Sequence, residues 1–475
     1  MKHIIVFAAL FLLFNNTSTG QDTSNFSQKG KIIGVWLEAQ KDFERMPGIT
    51  AAIIKDQNVV WSGAYGYANP EKKLPMQTNT IFGIASISKL FTSVAIMKLY
   101  DQGKLRLDDN VADILPWYKI NETFPESAPV TIRTMLTHSS GLPRESMFPY
   151  WNGPDFPFPT DEQLKEKLKT QETLYPVATY FQYSNLAMAL LGFVVEEVSG
   201  MDYEEYIEKE ILSPLKLENT SPSLPEALHG KHLAQGYSAF NRAGERTILP
   251  LYDAKALTPA AGFSSTVLDL GKFAAWQFRL LENKNTEILK YSTLQSMHNV
   301  QWAENGGKPS WGLGFSIIQN DPGEKLVGHG GSCPGYRSQI TLDPKNKMGY
   351  VVMINAGGTS PQKYIKGIQE LVNKLDGFKK SESSARGEDY EGYYSVQPWD
   401  GEVYITGWKG GIVSINLPAE TPGSGVTFYE HIEGDRFKRR MDNGDLGETF
   451  TFERDQKGKV TRVLSHGYYL MKIED

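Results

Sequence analysis

Three polar clusters far apart in the chain contain residues whose types and spacing could perform chemistry. They are Ser86-Ile87-Ser88-Lys89, Tyr183-Ser184-Asn185 and His329-Gly330-Gly331. A serine hydroxyl is a poor nucleophile at neutral pH, so it requires an adjacent base and donors that stabilise the oxyanion formed at an attacked carbonyl. Residues three apart on a helix share one side, so Lys89 can reach Ser86. The first cluster therefore predicts a serine nucleophile with a lysine base.

The residues after Ser86 have the apolar spacing of a helix that ends at Gly103. Apolar residues recur at Ile87, Leu90, Phe91, Val94, Met97 and Leu99. Ser86 is therefore predicted to lie in the first turn, where the positive end of the helix dipole favours a developing alkoxide. The same charge and burial are predicted to lower the pKa of Lys89, so that part of it can accept a proton.

Each motif taken alone is loose, because Ser-x-x-Lys and Tyr-x-Asn both recur in the chain. The other copies lie at 213–216 and 360–363 and at 67–69 and 150–152. These copies contain or adjoin proline, or lie in proline- and glycine-rich turns. Tyr183-Ser184-Asn185 instead caps an apolar helix predicted over 186–198, where a fixed tyrosine could relay a proton. The three clusters together, in this order, predict a serine hydrolase.

Further motifs at 82–89, 131–143 and 311–315 extend the pattern over about residues 30 to 375. Over this range the chain resembles the class C type of serine β-lactamase, within the penicillin-recognising hydrolases that also include DD-peptidases, D-aminopeptidases and esterases. The resemblance implies that Ser86 is acylated, that Lys89 is its general base partner, and that Tyr183 relays a proton to the leaving group and from the deacylating water.

The resemblance also assigns residues that bind substrate. It implies that Asn185 contacts the substrate and that the backbone N–H groups of Ser86 and Ser332 form the oxyanion hole. His329, Gly330 and Gly331 would lie on the strand that walls the site, where glycines let a substrate backbone approach closely.

One position departs from the β-lactamase and DD-peptidase pattern, in which a Lys-Thr-Gly box presents a cation to the substrate carboxylate. Here that position is His329, and a histidine is mostly neutral at pH 7. Recognition of a β-lactam carboxylate is therefore expected to be weaker. The expected substrate is a small peptide, D-amino-acid amide or ester. The alternatives are a β-lactamase or DD-carboxypeptidase, and a non-catalytic penicillin-binding-like sensor.

The other candidate sites predict no metal and no organic cofactor. His229 and His232 lack a glutamate at the spacing of a metal site and lie in a predicted loop. His138 is expected to make structural hydrogen bonds, and the single cysteine, Cys333, to fill space near the site. Gly328 to Gly331 superficially resembles a lipase oxyanion motif, but the Gly-x-Ser-x-Gly elbow of an α/β-hydrolase is absent from the sequence.

Composition and the N-terminus are typical of an exported enzyme. The 475 residues carry a net charge of -6 without a block of lysine and arginine, which predicts no nucleic-acid partner. A basic start, an apolar stretch at 4–14 and a small-residue exit predict a signal peptide over 1–20, cleaved near Gly20. No cysteine lies directly after the apolar stretch, so no lipoprotein membrane anchor is indicated. The expected location is periplasmic or extracellular.

The remaining pattern predicts two domains after the signal peptide. A hairpin at 48–55 and 59–67, a helix-rich middle at about 107–257 and later strands predict an α/β fold over 21–378. This would be a β-lactamase/transpeptidase-like mixed sheet with flanking helices beside an all-helical lobe. A polar linker at 379–388 precedes seven strand-like runs in 389–475. These resemble a small lipocalin-like β-barrel, expected to act as a lid without its own ligand.

Overall fold

The computed structural model describes residues 18–304, 306–307, 309–319, 323, 325–381 and 387–474. The predicted signal peptide lies outside these residues except for 18–20, and so does the central part of the predicted linker. Among the described residues, no helix combines the length and the apolar character needed to cross a membrane.

The helices range from single turns to more than six turns. In chain order they are α1 Ser18–Phe43, α2 Ser88–Asp101, α3 Val111–Ile114, α4 Ile132–Leu136, α5 Asp161–Leu168, α6 Asn185–Ser199, α7 Tyr203–Ile207, α8 Ser213–Leu215, α9 Thr258–Ala261, α10 Val267–Asn283, α11 Tyr291–Met297, α12 Pro361–Gly377 and α13 Pro422–Gly425. Turns of 3-10 helix occupy Ala85–Ile87, Glu226–Leu228, Lys255–Leu257 and Gly387–Tyr390, and a π-helical turn occupies Glu208–Leu212.

The strands fall into a large sheet, a barrel and three short pairs. In chain order they are β1 Gly48–Lys55, β2 Asn58–Asn69, β3 Leu74–Pro75, β4 Phe82–Gly83, β5 Gly236–Tyr237, β6 Ile248–Leu249, β7 Ser264–Ser265, β8 Thr286–Glu287, β9 Leu289–Lys290, β10 Trp302–Ala303, β11 Ser310–Trp311, β12 Ser316–Ile318, β13 Leu326–Cys333, β14 Tyr336–Asp343, β15 Met348–Ile354, β16 Gly392–Ser395, β17 Glu402–Trp408, β18 Gly411–Leu417, β19 Val426–Glu433, β20 Arg436–Arg440, β21 Leu446–Arg454, β22 Val460–Ser465 and β23 Tyr468–Lys472.

The large sheet joins strands from both ends of the first domain. Within the described residues it has nine strands in the order β10-β11-β12-β13-β14-β15-β1-β2-β3, and neighbouring strands pair antiparallel. The predicted hairpin is β1–β2, and β1 also pairs with β15 from Ile49 opposite Ile354 to Lys55 opposite Met348. The predicted helix-flanked sheet is therefore confirmed.

Strand β1, inside the sheet between β15 and β2, is buried on both faces because helices cover the sheet on each side. Successive side chains of a strand point to opposite faces. Ala52 and Ile54 pack into the core shared with α2, α6 and α10, whereas Ile49, Ala51 and Ile53 pack into the core shared with α1 and α12. The sequence pattern did not predict α1. Its Trp36 is fully buried in the second core, although apolar residues are sparse along the helix.

The helical lobe positions the second polar cluster. Its central helix, α6, is almost entirely apolar and buried from Asn185 to Val195. Ser184 caps α6 by accepting a hydrogen bond from the Ala187 N–H at 2.9 Å, and Gly200 ends it with a φ of 73°. Helices α2 and α9 pack against α6. The Tyr183 ring, just before α6, lies 6.1 Å from the ring of Trp311 on β11, so the start of α6 faces the sheet.

The C-terminal domain is a closed barrel of strands β16 to β23, among the residues described. The prediction of a single strand-like run at 460–473 was wrong, because a turn at His466 and Gly467, both with positive φ, divides it into β22 and β23. Aromatic and aliphatic side chains such as Tyr394, Phe437 and Phe452 fill the interior. The lipocalin-like barrel is confirmed, with a packed core.

The barrel packs behind the sheet, against α1 and α12. Tyr404, Trp408 and Val413 share a core with these helices. The Trp36 Nε1 and Gln40 Nε2 atoms donate to the Ala419 carbonyl at 2.9 and 2.6 Å. The expectation of a lid is therefore wrong for a single chain, since the barrel is anchored on the sheet face opposite the helical lobe.

Candidate active site

Ser86 lies in the 3-10 turn Ala85–Ile87, immediately before α2. The sequence pattern placed it in the first turn of the α-helix itself, which differs from the structure by one short turn. Ala85 has a φ of 46°, and the buried Ser88 hydroxyl donates to the Ala85 carbonyl while it accepts from the Phe263 N–H. These bonds fix the sharp turn that presents Ser86 toward the cleft.

Lys89 lies within hydrogen-bonding distance of the Ser86 hydroxyl and can exchange a proton with it. Its Nζ donates to Ser86 Oγ at 3.1 Å and to the Ala260 carbonyl at 2.7 Å, and its side chain is fully buried. Burial lowers the pKa of Lys89 well below its usual range, although the Glu145 carboxylate opposes the shift. A lysine held neutral at hydrogen-bonding distance from a serine can take the proton from that hydroxyl.

Tyr183 precedes the cap of α6, and its ring lies beside the Lys89 amino group and the Arg144 guanidinium. The Lys89 Nζ and the Arg144 Cζ are each 4.9 Å from the ring centroid. Burial raises the pKa of Tyr183, while a hydrogen bond with the Ser86 side chain acts in the opposite direction. Tyr183 is therefore a neutral phenol at neutral pH, able to donate a proton as well as to accept one.

The His138 ring packs against the Tyr183 ring. The ring centroids of the two residues are 4.4 Å apart, and His138 Nδ1 accepts from the Ser184 N–H at 3.2 Å. Burial lowers the pKa of His138 well below its usual range, and the positive charges of Lys89 and Arg144 act in the same direction. The neutral ring thus ties the 131–143 segment to the start of α6.

Asn185 is held by the carboxylate of Glu145, which the sequence motifs did not predict as a site residue. Its Nδ2 donates to both oxygens of Glu145 at 2.9 Å. Glu145 also accepts from Trp151 Nε1 at 3.3 Å and from the Tyr150 hydroxyl, and it pairs with Arg144 at 3.1 Å. The available sequence signal was a charged pair, Arg144 and Glu145, directly after a proline in the family-like segment.

His329 lies on β13, packed against aromatic rings. It is 5% exposed, and its ring centroid lies 6.1 Å from that of Tyr183 and 5.6 Å from that of Trp311. Burial lowers the pKa of His329 to about 3, with a further contribution from Lys89. The ring is therefore neutral, and the strand presents no cation at the position of the Lys-Thr-Gly box.

Of the two glycines after His329, Gly331 is required by nearby backbone, whereas Gly330 faces the flexible end of the Gln339 side chain. A Cβ at Gly331 would lie 2.1 Å from the Ile84 carbonyl oxygen, next to the Ser86 turn, so only glycine allows this approach. Gly330 pairs with Gln339, and a Cβ there would meet the Gln339 side chain. Because neighbouring residues of a strand face opposite ways, Gly331 faces the cleft and Gly330 faces away.

A cavity of about 420 Å³ opens beside the nucleophile. Its lining includes Ser86, Arg144, Asn185, Ser332 and Arg337. The structure thus brings together Ser86, Lys89 and Tyr183 as a contacting group, with Asn185 and Ser332 along the adjoining cavity. In the part of the chain that is described, the cavity is lined neither by barrel residues nor by the other predicted site residues, Lys89, Tyr183, His329, Gly330 and Gly331.

The remaining residues near the site offer little further chemistry. Burial raises the pKa of Cys333 to about 11, so its thiol stays protonated at neutral pH. Among the described residues, no group of three or more His, Cys, Asp or Glu side chains could hold a metal ion.

The Beta-lactamase family model matches residues 36–372 of this chain. The chain belongs to the Beta-lactamase family. Members of this fold family are in general serine hydrolases. Beta-lactamase-like protein 2 of Dictyostelium discoideum is 28% identical over 326 residues, which cover 68% of this chain and 58% of that protein. The chain thus matches less than two thirds of that relative's length.

Solved structures extend the likeness to the C-terminal barrel. The octameric penicillin-binding protein homologue from Pyrococcus abyssi is 29% identical, has a TM-score of 0.60, and aligns over 96% of this chain and 100% of its own. A D-stereospecific amidohydrolase from Streptomyces sp. is 23% identical with a TM-score of 0.58, over 71% of this chain and 98% of its own. At that identity the second likeness shows the fold alone.

Proposed function

We propose that this protein hydrolyses a small amide or ester through an acyl-enzyme on Ser86. The observation that carries this proposal is the 3.1 Å contact between a fully buried Lys89 Nζ and Ser86 Oγ. A charged lysine cannot accept a proton, and burial without a directly paired carboxylate favours the neutral form. A receptor that only binds its ligand does not require such a base.

In the acylation step, Lys89 takes the proton of Ser86 as Oγ attacks the substrate carbonyl. The oxyanion accepts hydrogen bonds from the backbone N–H groups of Ser86 and Ser332. The tetrahedral intermediate then expels its amine or alkoxide, which receives the proton through the neutral Tyr183 hydroxyl. The carbonyl stays bonded to Oγ as an ester.

In the deacylation step, water attacks the Ser86 ester, and its proton passes through Tyr183 to Lys89, which then returns it to Ser86 Oγ. The second tetrahedral intermediate releases the carboxylic acid product and restores the Ser86 hydroxyl. Lys89 is neutral again at the end of the cycle, so the net reaction consumes only substrate and water.

The neutral His329 favours a peptide, D-amino-acid amide or ester over a β-lactam as substrate. A β-lactam carries its carboxylate on the side of the leaving nitrogen, where this strand offers no cation.

Export remains part of the proposal. Removal of 1–20 would shorten α1 by three residues and leave Phe26, Ile33 and Trp36 in the core. Mass measurement of the protein recovered from an export-competent host tests this, with cleavage near Gly20 expected and an uncleaved N-terminus contradicting it.

The catalytic assignment is tested by rates on p-nitrophenyl acetate, a D-alanyl p-nitroanilide and nitrocefin. Ser86→Ala is expected to lower kcat/KM at least about a thousand-fold on every substrate turned over. Ser213→Ala changes the serine of a second Ser-x-x-Lys motif and is the matched control, expected to keep full activity. Full activity of Ser86→Ala contradicts the proposal, and nitrocefin as the fastest substrate favours the β-lactamase alternative.

A further inference from the structure

The cavity beside Ser86 runs toward one end of strand β13. His329 packs against Tyr183, whereas Ser332, Cys333 and Gly335 line the cavity farther along the strand and its hairpin. Ser332 lies three residues beyond His329, about 10 Å along an extended strand. In the proposed mechanism Tyr183 donates a proton to the leaving group. Because Tyr183 and His329 do not line this cavity, whereas Ser86 and Ser332 do, we assign the cavity to the acyl part of a substrate.

The charged groups that line this cavity are two guanidinium groups. Arg144 and Arg337 both contribute to the lining, and no carboxylate does among the described residues. The charge of Arg144 is balanced, because its Nε lies 3.1 Å from Glu145 Oε1. Arg337 forms no ion pair with any residue in the described ranges. A net positive charge thus remains at the hairpin end.

The position of Arg337 is fixed by backbone contacts. Its Nη1 donates to the carbonyls of Cys333 and Tyr336, both at 3.1 Å, across the β13–β14 hairpin. These bonds use one nitrogen, so the guanidinium retains other N–H donors for a ligand. A guanidinium held in place loses less conformational freedom on binding, and its fork matches the two oxygens of a carboxylate.

We propose that Arg337 binds a carboxylate on the acyl part of the substrate. The preferred substrates are then half-amides or half-esters of dicarboxylic acids, or amides and esters with a similar anionic acyl group. This inference rests on the proposed function, because it requires an acyl-enzyme at Ser86. It places the recognition charge on the acyl side of the scissile bond, whereas a Lys-Thr-Gly box would serve the leaving side.

The test compares matched 4-nitrophenyl esters with the whole chain. Half-esters of glutaric, adipic and pimelic acid are paired with neutral esters in which an isopropyl group replaces the carboxylate, such as 6-methylheptanoate for adipate. At least one anionic ester is expected to exceed its neutral partner about tenfold in kcat/KM, in keeping with the strength of hydrogen bonds to charged groups. Rates are corrected for spontaneous hydrolysis.

Arg337→Gln is expected to remove that preference, lowering kcat/KM for the anionic ester about tenfold and leaving the neutral ester within about twofold. Arg337→Lys keeps the charge without the fork and is expected to be intermediate. Arg242→Gln removes an exposed arginine of the 241–245 turn and is the control. Equal loss on both esters, or an unchanged preference, overturns the inference.

A second ester pair locates the charge. Phenyl and 3-carboxyphenyl butyrate differ only by a carboxylate in the leaving group, and Arg337→Gln is expected to leave their ratio unchanged. An Arg337-dependent preference for the carboxyphenyl ester overturns the assignment to the acyl side. Turnover of neutral esters with labelling of Ser86 by a fluorophosphonate shows that the catalytic group is intact. If neither turnover of neutral esters nor labelling of Ser86 is observed, the proposed function is contradicted, and so is this inference.

Discussion

The two ends of the cleft differ in charge and burial. At the Tyr183 end, Lys89, His138 and His329 are buried, and burial lowers the pKa of each, which favours their neutral forms, so we call this the neutral end. At the Arg337 end, the exposed Arg144 and the partly buried Arg337 line an open cavity. A buried neutral base suits proton transfer, and a partly hydrated cation suits ligand binding. We infer that the two ends divide the work between chemistry and recognition.

The largest effect is expected from a change at the neutral end. Lys89→Gln removes the base, so kcat/KM should fall by about a hundred- to ten-thousand-fold on neutral and anionic esters alike. Steady-state rates on both esters measure it. Lys216→Gln, in the second Ser-x-x-Lys motif, is the control and should be unaffected. Selective loss on anionic esters would erase the distinction between the ends.

The pH dependence of the neutral ester reaction tests the same base. Lys89 is active when unprotonated, so kcat/KM should rise with pH through the lowered pKa of Lys89, at a pH well below that at which an ordinary lysine loses its proton. His329, with a pKa of about 3, should add no transition above pH 4. A half-maximal rate near pH 10.5 would mean that Lys89 is an ordinary charged lysine.

Between the two ends, Glu145 links Asn185 to the 144–151 segment. Glu145→Ala would leave the Asn185 amide, the Tyr150 hydroxyl and Trp151 Nε1 without their acceptor, which should cost about 2 to 3 kcal/mol of unfolding free energy. Denaturant titration measures the loss. If Asn185→Ala costs as much in the Glu145→Ala background as in the parent, the two side chains are not coupled.

The buried histidines of the neutral end should also make stability depend on pH. An unfolded histidine binds a proton near pH 6.5, whereas folded His329 has a pKa of about 3. The unfolded state thus binds more protons between these values, and stability should fall as the pH drops from 6.5 toward 3, by at most about 1.4 kcal/mol per pH unit for this group.

Urea titrations at several pH values measure that slope. His329→Gln should reduce the slope, and His466→Gln, which changes an exposed barrel histidine, should leave it unchanged. A slope that is the same in all three proteins would show that His329 does not carry the effect.

The smallest effect is expected far from both ends, at the barrel contact. Trp36→Phe removes the hydrogen bond to the Ala419 carbonyl while keeping an aromatic ring in the core, which should cost about 1 kcal/mol. Thermal unfolding measures it. Because the barrel lines neither end of the cleft, kcat/KM on both esters should stay unchanged, and a large drop would mean that the barrel controls the site.

Much of the fold was predictable because periodicity reports burial. The spacing of Val94 and Met97 predicted α2, and the apolar run after Asn185 predicted α6. Helix α1 was missed because its few apolar residues, such as Ile33 and Trp36, acquire their meaning only from the barrel and sheet that they join. The position of the barrel was missed for the same reason, since docking depends on surfaces and not on strand patterns.

The candidate site was predictable where chemistry restricts residue type. The Ser86 and Lys89 pair followed from spacing, and the structure places the two atoms 3.1 Å apart. Glu145 and Arg337 were not singled out, because a carboxylate or guanidinium on a loop or strand is common on protein surfaces. Their roles depend on which groups the fold leaves opposite them, such as Asn185 for Glu145.

The central claim is that Ser86 becomes acylated, and capture of the acyl-enzyme tests it most directly. The protein is mixed with 4-nitrophenyl 6-methylheptanoate, quenched in acid within the first turnover, digested and mapped by mass spectrometry. We expect the mass of one acyl group on the peptide containing Ser86, and its absence from Ser86→Ala. Turnover with acyl mass on another residue, or with none on any peptide, would contradict it.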